Sequence, residues 1–477
     1  MKKEMSLKKA TFYNLISKFG TMGIQLGLTM VLSRLVSTSE HGVISLVIII
    51  LTFLALFADL GLGVSVIQHP EMDKDDINKL FSFSFVIGLA LMAIMCLLAF
   101  PVSVIYKNKI YLILCPIASI TALFSSINIV PNAVLVRDKR FDLIAIRSLL
   151  SAIVPGSIAV YFAYKGFGVY SLLIQSVSSA FLLFLWNYIK SPMKLCKFRF
   201  KSVFALLGRY SLFQFLFNIL NYFTRNTDNL IIGAHFNETE LGYYNKAYTL
   251  NLYPNTILTS VVSGALHPYV REYKNDFAPL YLKLIKLLKV LSWAGLYIGI
   301  ICFWCSKEIV LILFGNNWAI AGEYFKWLSL CIWAQVLSSV AGSVFLGIEK
   351  TNRVFLCGVI NLILLICAIL VGIFFESVLV ISIGVSIVYN IVFFITYYIL
   401  IKKSMGYSFI GFIKSFIVDY ITYLTISFLS FLLPPVSDSI WISLLLKTGL
   451  CTVLYLFFML CSGQLFKVKT TIKEAFK

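Results

Sequence analysis

The sequence predicts an all-α polytopic membrane protein of about fourteen transmembrane helices, arranged as two six-helix lobes related by a pseudo-two-fold axis along the membrane normal, with two further helices at the C-terminus. Three observations predict it. Of 477 residues, 60% are hydrophobic and only 13% charged, against roughly 45–50% apolar in ordinary soluble domains. Apolar stretches of about 20 residues, the length needed to cross about 30 Å of hydrocarbon, recur along the whole chain. The 40 Lys and Arg residues fall in alternating connections: 31 on the side of the two termini, eight on the other, and Arg225 alone well inside a span. Such a split fixes the orientation by the positive-inside rule and supports the even span count, because one missed span would scramble every later loop.

Taken in order, spans are expected near 12–33, 43–67, 82–105, 111–133, 148–165 and 168–189, then near 207–233, 241–266, 284–305, 322–348, 354–375 and 378–401, and finally near 412–433 and 440–462. The basic start, MKKEMSLKK, has the character of a signal-peptide n-region, but the following apolar run continues to Leu32 without a small-residue cleavage pattern. It reads as the first transmembrane helix.

An internal repeat at a spacing of 200 residues divides the chain. Ser39-Glu40-His41-Gly42, between the first two spans, matches Thr239-Glu240-Leu241-Gly242, between the seventh and eighth. The expected divisions are therefore 1–190, 191–401 and 402–477. Two six-helix halves in parallel orientation leave a cleft that rocking can open to either membrane face, which is alternating access.

The formal charge of +19 is accounted for by this topology, and nucleic acid is not an expected partner. Connections are short and mainly basic, and no GxSxG, HExxH or P-loop occurs, so neither an enzyme nor a nucleotide-driven pump is expected. The ten cysteines are scattered. The CxxC pair Cys302 and Cys305 has no second pair of ligands, so it reads as small buried residues, and no metal or cofactor is expected.

Two segments carry a resemblance to a family. Leu32-Ser33-Arg34-Leu35 through Glu40-His41-Gly42, with Asp59-Leu60-Gly61-Leu62-Gly63 and Ile67-Gln68, resembles the opening of the bacterial lipid-linked oligosaccharide flippases. Asp228-Asn229-Leu230-Ile231-Ile232-Gly233, with Leu241 to Ala247 and Pro254, is similar to the same family's second half. That family belongs to the superfamily that also holds the multidrug and toxin extrusion antiporters. The resemblance implies an inner-membrane protein carrying undecaprenyl-diphosphate-linked oligosaccharide repeat units from the cytoplasmic to the periplasmic leaflet. These units feed capsule, O-antigen or exopolysaccharide assembly. Membrane lipids, a polysaccharide polymerase and glycosyltransferases are the partners it implies, and a cation-coupled multidrug antiporter is the alternative within the superfamily.

Charged and amide side chains within spans are costly in lipid and mark a protein interior or a wet cavity. Asn218, Asn221, Arg225, Asp228 and Asn229 recur at three- and four-residue spacing on one face of the seventh span. This face either lines the cleft, with Arg225 binding the diphosphate through paired hydrogen bonds, or is neutralised internally by an Arg225–Asp228 pair. By the repeat register Gln25 is the counterpart of Arg225. Asp59, just before Gly61 and Gly63, is a candidate for gating or for proton or Na⁺ coupling, or else the partner of a backbone amide or of an Arg on a neighbouring helix. Arg34 and Lys246 sit at outer helix ends, where they snorkel or form an outer gate with Glu40 and Glu240. Tyr243, Tyr244 and Tyr248 are placed either to stack on sugar rings or to anchor the interface. An orientation test follows: alkaline phosphatase fused after Lys477 should be inactive, while the same fusion in the connection at 165–168 should be active.

Overall fold

The computed structural model describes residues 7–69, 71–200, 210–273, 276–431 and 439–475. These residues form helices and connections, with no strand among them. The chain makes two compact units, 1–242 and 243–477, whose division falls inside one long helix. The first unit holds α1 (Leu7–Leu35), α2 (Thr38–Asp59), the short α3 (Leu62–Gln68), α4 (Lys74–Ile105), α5 (Tyr111–Arg137), α6 (Phe141–Tyr164), α7 (Val169–Lys190), α8 (Tyr210–His235) and the start of α9 (Glu238–Glu272). The second unit continues with α10 (Phe277–Trp304), α11 (Ser306–Phe314), α12 (Ala319–Ser329), α13 (Ile332–Gly347), α14 (Thr351–Phe374), α15 (Val378–Tyr397), a π-helical turn (Tyr398–Ser404), α16 (Phe409–Leu429), α17 (Ile440–Cys461) and α18 (Val468–Ala475).

Eleven of these helices are long and apolar enough to cross a membrane, and a twelfth span results if α12 and α13, bent by 56° at their junction, are taken together. The other two expected spans fall on α8 and α9, which have the length, at 26 and 35 residues, but carry many polar side chains. The ten cysteines are all free, and Cys302 and Cys305 are buried.

In the first unit α4 lies along α5, α1 along α6, and α7 packs on both α5 and α6, while α2 bridges α5 and α8. A buried cluster of Leu62, Val66, Leu80, Phe81, Val130 and Ala133 joins α3, α4 and α5. The extended connection after α7 is strapped to α4: Lys194 N donates to Asn78 Oδ1 at 2.9 Å and Cys196 N to Ser82 Oγ at 2.8 Å. These bonds satisfy backbone that has no ladder of its own.

In the second unit the interruption between α12 and α13 strands two carbonyls. The Tyr423 hydroxyl donates to Ser329 O at 2.7 Å, and Asn390 Nδ2 to Leu330 O at 3.2 Å. α16 and α17 are held by buried charge. Lys289 Nζ lies 2.8 Å from Asp419 Oδ1, Ser292 Oγ donates to Asp419 Oδ2 at 2.7 Å, and Gln464 Nε2 donates to Oδ1 at 2.9 Å. Trp333 Nε1 in turn donates to Ser292 Oγ at 2.8 Å. A second pair, Glu308 with Lys447 and with the Ser443 hydroxyl, joins α11 to α17. Burial raises the Glu308 carboxyl's pKa, but the Lys447 and Ser443 hydrogen bonds outweigh it and leave the group below its ordinary value.

Asp419 is 2% exposed, so Asp419→Ala leaves a buried ammonium without its counter-charge, a loss of about 3–5 kcal/mol. The purified protein in detergent should unfold at a markedly lower temperature, and a double change to Asp419→Leu with Lys289→Met should recover much of it.

Candidate functional site

The matching segments of the internal repeat come together at their backbones. A Cβ on Gly42 would lie 1.7 Å from the carbonyl oxygen of Glu238, and one on Gly242 would lie 2.3 Å from the carbonyl oxygen of Thr38. Residue 42 thus meets residue 238 as 242 meets 38, a reciprocal contact related by the 200-residue repeat. Each tip is capped in the same place: Glu40 N donates to Ser37 Oγ at 3.3 Å, and Glu240 N to Asn237 Oδ1 at 2.8 Å. Around them Asn108 Nδ2 donates to Glu238 Oε1 at 3.0 Å, and the Tyr106 hydroxyl to Leu230 O at 3.2 Å. Glu40 completes a capping box on α2 and also accepts from Val169 N, at 3.0 Å, at the start of α7. Gly168 holds a left-handed φ of +51°, and a Cβ there would stand 1.9 Å from that carboxylate. This surface lies across the membrane from the start of α1.

Of the expected outer gate, then, Glu40 is spent on two helix N-termini. Arg34 is exposed, with Nη1 3.5 Å from Met30 O. Lys246 lies over the rings of Phe314 and Trp318, 5.3 and 5.6 Å from their centres, a cation–π placement. The tyrosines near it are not a free platform. Tyr244 and Tyr248 are buried and stacked on each other at 6.0 Å, Tyr248 shares a 3.1 Å hydrogen bond with Tyr389, and Tyr243 packs edge-on against Trp318.

The polar stripe of α8 divides along its length. Toward the C-terminus Asp228 and Asn229 are buried, with Asp228 Oδ1 accepting from Asn229 N at 2.8 Å and from Asn229 Nδ2 at 3.1 Å. Asn218 and Asn221 are half-buried, and Arg225 is exposed. The expected alternative, an Arg225–Asp228 ion pair, is not formed, and the Arg225 guanidinium makes no hydrogen bond or ion pair among the described residues. α8 is oriented by its packing on α2, where the Tyr222 hydroxyl donates to Ile49 O at 3.0 Å and Phe53 lies against Tyr222 at 5.1 Å. Gln25, the register counterpart of Arg225, is likewise exposed, on α1.

Asp59 sits where span two breaks. Leu60 and Gly61 turn left-handed at φ 37° and 83°, and Asp59 Oδ1 accepts from Gly63 N at 3.1 Å, capping the restart of the chain as α3. Its carboxylate also faces a cavity of about 280 Å³ lined by Ser125 and Asn132 of α5 and by alanine and isoleucine walls. Behind Asn132 lies Arg147, one of the basic residues that the loop-charge reading counts toward orientation. Arg147 is 8% exposed and its Nη1 donates to Asn132 Oδ1 and Asn187 Oδ1, both at 2.8 Å, while Asn187 Nδ2 donates to Asn128 Oδ1 at 2.7 Å. No carboxylate partner completes this guanidinium among the described residues, and its Nε has no acceptor. The sequence signal was present: Arg147 follows Leu143-Ile144-Ala145-Ile146, and Asn128 and Asn132 are four apart on one face of α5.

The site residues thus offer exposed cationic and amide groups at membrane depth on α8 and α1, a small polar cavity on the N-terminal side, and a close backbone seal on the other. Such an arrangement can bind and occlude a polar ligand. Among the described residues no group of three or more His, Cys, Asp or Glu side chains is placed to hold a metal ion.

A family profile described as polysaccharide biosynthesis protein matches residues 31–322. The chain is 26% identical over 331 residues to the succinoglycan biosynthesis transport protein ExoT of Rhizobium meliloti, a match over 67% of this chain and 64%, a little under two thirds, of that one. It is 21% identical over 423 residues to the lipopolysaccharide biosynthesis protein WzxC of Escherichia coli, covering 86% and 85% of the two chains. In fold it is similar to the lipid II flippase MurJ in its inward closed conformation, with a TM-score of 0.73 and 14% identity over 96% of this chain and 99% of that one.

Alanine at Gly42 or Gly242 must force the two tips apart, at a cost of about 1–3 kcal/mol. In a cysteine-free background, Thr38→Cys should react faster with a membrane-impermeant maleimide when Gly42→Ala is added. Gly27→Ala, which meets nothing within 4 Å, should leave that rate unchanged.

Proposed function

Because the chain belongs to the polysaccharide biosynthesis protein family, we propose that it is a flippase for undecaprenyl-diphosphate-linked oligosaccharide units. They pass from the cytoplasmic to the outer leaflet of the bacterial inner membrane, where they supply surface polysaccharide. Both termini lie in the cytoplasm on this reading, as the 31-to-8 division of basic residues supports. The work is translocation, without covalent chemistry on the sugar, and the driving force is a gradient or downstream consumption. Glycosyltransferases that build the unit and a polymerase that uses it are the functional neighbours.

The observation that carries the reading is Arg225, an exposed guanidinium on the polar face of α8 with no hydrogen bond or ion pair among the described residues. A diphosphate crossing a low-dielectric barrier needs a fixed cation and paired donors, which a guanidinium supplies in one plane. Asn221, one turn before it, presents an amide for sugar hydroxyls, Asn218 continues the same face a further turn back, and Gln25 presents its amide from α1. A multidrug antiporter needs carboxylates facing its cargo. Here Asp419 is committed to Lys289 and Asp228 is buried with Oδ1 bound to Asn229, which leaves Asp59 as the one of these three carboxylates that faces a cavity.

Deleting the gene should remove the surface polymer and build up complete lipid-linked units on the cytoplasmic side. Wild type should restore the polymer, whereas Arg225→Gln should transport about 10–100-fold less, the value of one charge-assisted contact. Unchanged polymer together with new sensitivity to cationic drugs would overturn the assignment in favour of the antiporter.

A further inference from the structure

The cavity between α2, α3 and α5, open on one side, holds three polar groups with spare hydrogen-bonding capacity, and their chemistry is mixed. Asp59 commits Oδ1 to Gly63 N and keeps Oδ2 without a partner among the described residues, an acceptor only. Asn132 commits its oxygen to Arg147 Nη1, so the group it has left is the NH2, a donor only. The Ser125 hydroxyl makes no hydrogen bond among the described residues and can do both. Arg147 fixes this polarity, because turning Asn132 over would set its NH2 against a guanidinium. Arg147 is therefore a positioning residue for the cavity.

A metal cation wants oxygen acceptors on every side, and Asn132 offers it N–H bonds instead. An anion wants donors, and meets the Asp59 carboxylate. A sugar ring satisfies all three groups, since each of its hydroxyls donates and accepts at once. Its C–H faces match the alanine and isoleucine walls, and about 280 Å³ lies just below the roughly 300–1,000 Å³ of drug-sized pockets, room for one ring and not for a chain of them.

We propose that this cavity is a subsite for a single pyranose ring of the lipid-linked unit, engaged on the side of the membrane from which α1 begins. The assignment rests on the flippase reading and adds to it a place, apart from the α8 stripe, where the cargo's sugar is recognised before transport. Asp59 accepts from ring hydroxyls, Asn132 donates to one, and Arg147 keeps Asn132 facing them.

The test uses the full chain in lipid nanodiscs and saturation-transfer NMR with a panel of methyl glycosides: neutral hexoses, 6-deoxyhexoses, N-acetylhexosamines and hexuronic acids. Asp59→Asn keeps an oxygen for Gly63 N while replacing the free acceptor by NH2, and Ala55→Leu fills the cavity from an exposed wall position. At least one uncharged glycoside should give a signal in the wild type that falls about tenfold in each variant, the effect of losing one or two hydrogen bonds. Absence of any glycoside signal, or a signal that persists in both variants, overturns the proposal. So does a Na⁺-dependent rise in unfolding temperature that Asp59→Asn abolishes. In the complemented deletion strain Asp59→Asn should lower surface polymer; lost glycoside binding with full polymer would assign the cavity to a free sugar and not to the cargo. Bound glycoside in a protein whose deletion leaves surface polymer intact would instead overturn the flippase reading alone.

Discussion

Hydrocarbon offers no hydrogen bonds, so each place where this backbone departs from helix must find its partner within the protein. Nearly every irregularity described above is answered by a side chain from a neighbouring element. The broken span between α12 and α13 has its carbonyls taken by Tyr423 and Asn390. The start of α7 is met by Glu40 and the restart at α3 by Asp59. These compensations also join elements: Glu40 links α2 to α7, and Tyr423 links α16 to the bend. Breaks that allow a transport protein to bend are thus the points at which its helices are cross-tied, and bending at one must disturb its neighbour.

Charge is spent in three ways. Lys289 with Asp419, and Glu308 with Lys447, are closed pairs with additional hydrogen bonds, and they dock the two C-terminal spans. Such pairs are costly to break. Arg147 is buried but held by neutral amides, so its charge orients dipoles and is not cancelled. Arg225 is exposed and makes no pair among the described residues. A transporter for an anionic headgroup needs a cation of that last kind, and the scaffold supplies the other two without competing for it.

Much of this was legible in the sequence because the membrane enforces simple rules. Span positions follow from length and hydropathy, and the helices fall close to where the apolar runs do. Two features obscured the rest. α8 is polar along one face and α9 carries polar residues along its length, which is what lowers their hydropathy. Arg147 was hidden because a basic residue near a span end is expected on orientation grounds alone, and only the packing of α6 against α5 and α7 turns it inward. The tyrosines at 244 and 248 carried the opposite lesson. One-turn spacing of aromatic residues fits a sugar platform and an internal stack equally well, and burial decided for the stack.

The duplicated frame gives the deepest constraint on where specificity can reside. Since Gly42 meets Glu238 as Gly242 meets Thr38, the contact is reciprocal, and a change at either glycine acts on both copies of the hairpin. Such a surface is bound to stay small and alike in the two halves. Positions away from it are free to diverge, and they have: the register partner of Arg225 is the neutral Gln25, and the carboxylate Asp59 has the neutral hydroxyl of Thr259 at the corresponding place. The two copies of the hairpin are thus alike where they touch and chemically different away from that contact. The pairing that closes the tips is backbone against backbone, so it is indifferent to the polar side chains that differ between the two copies.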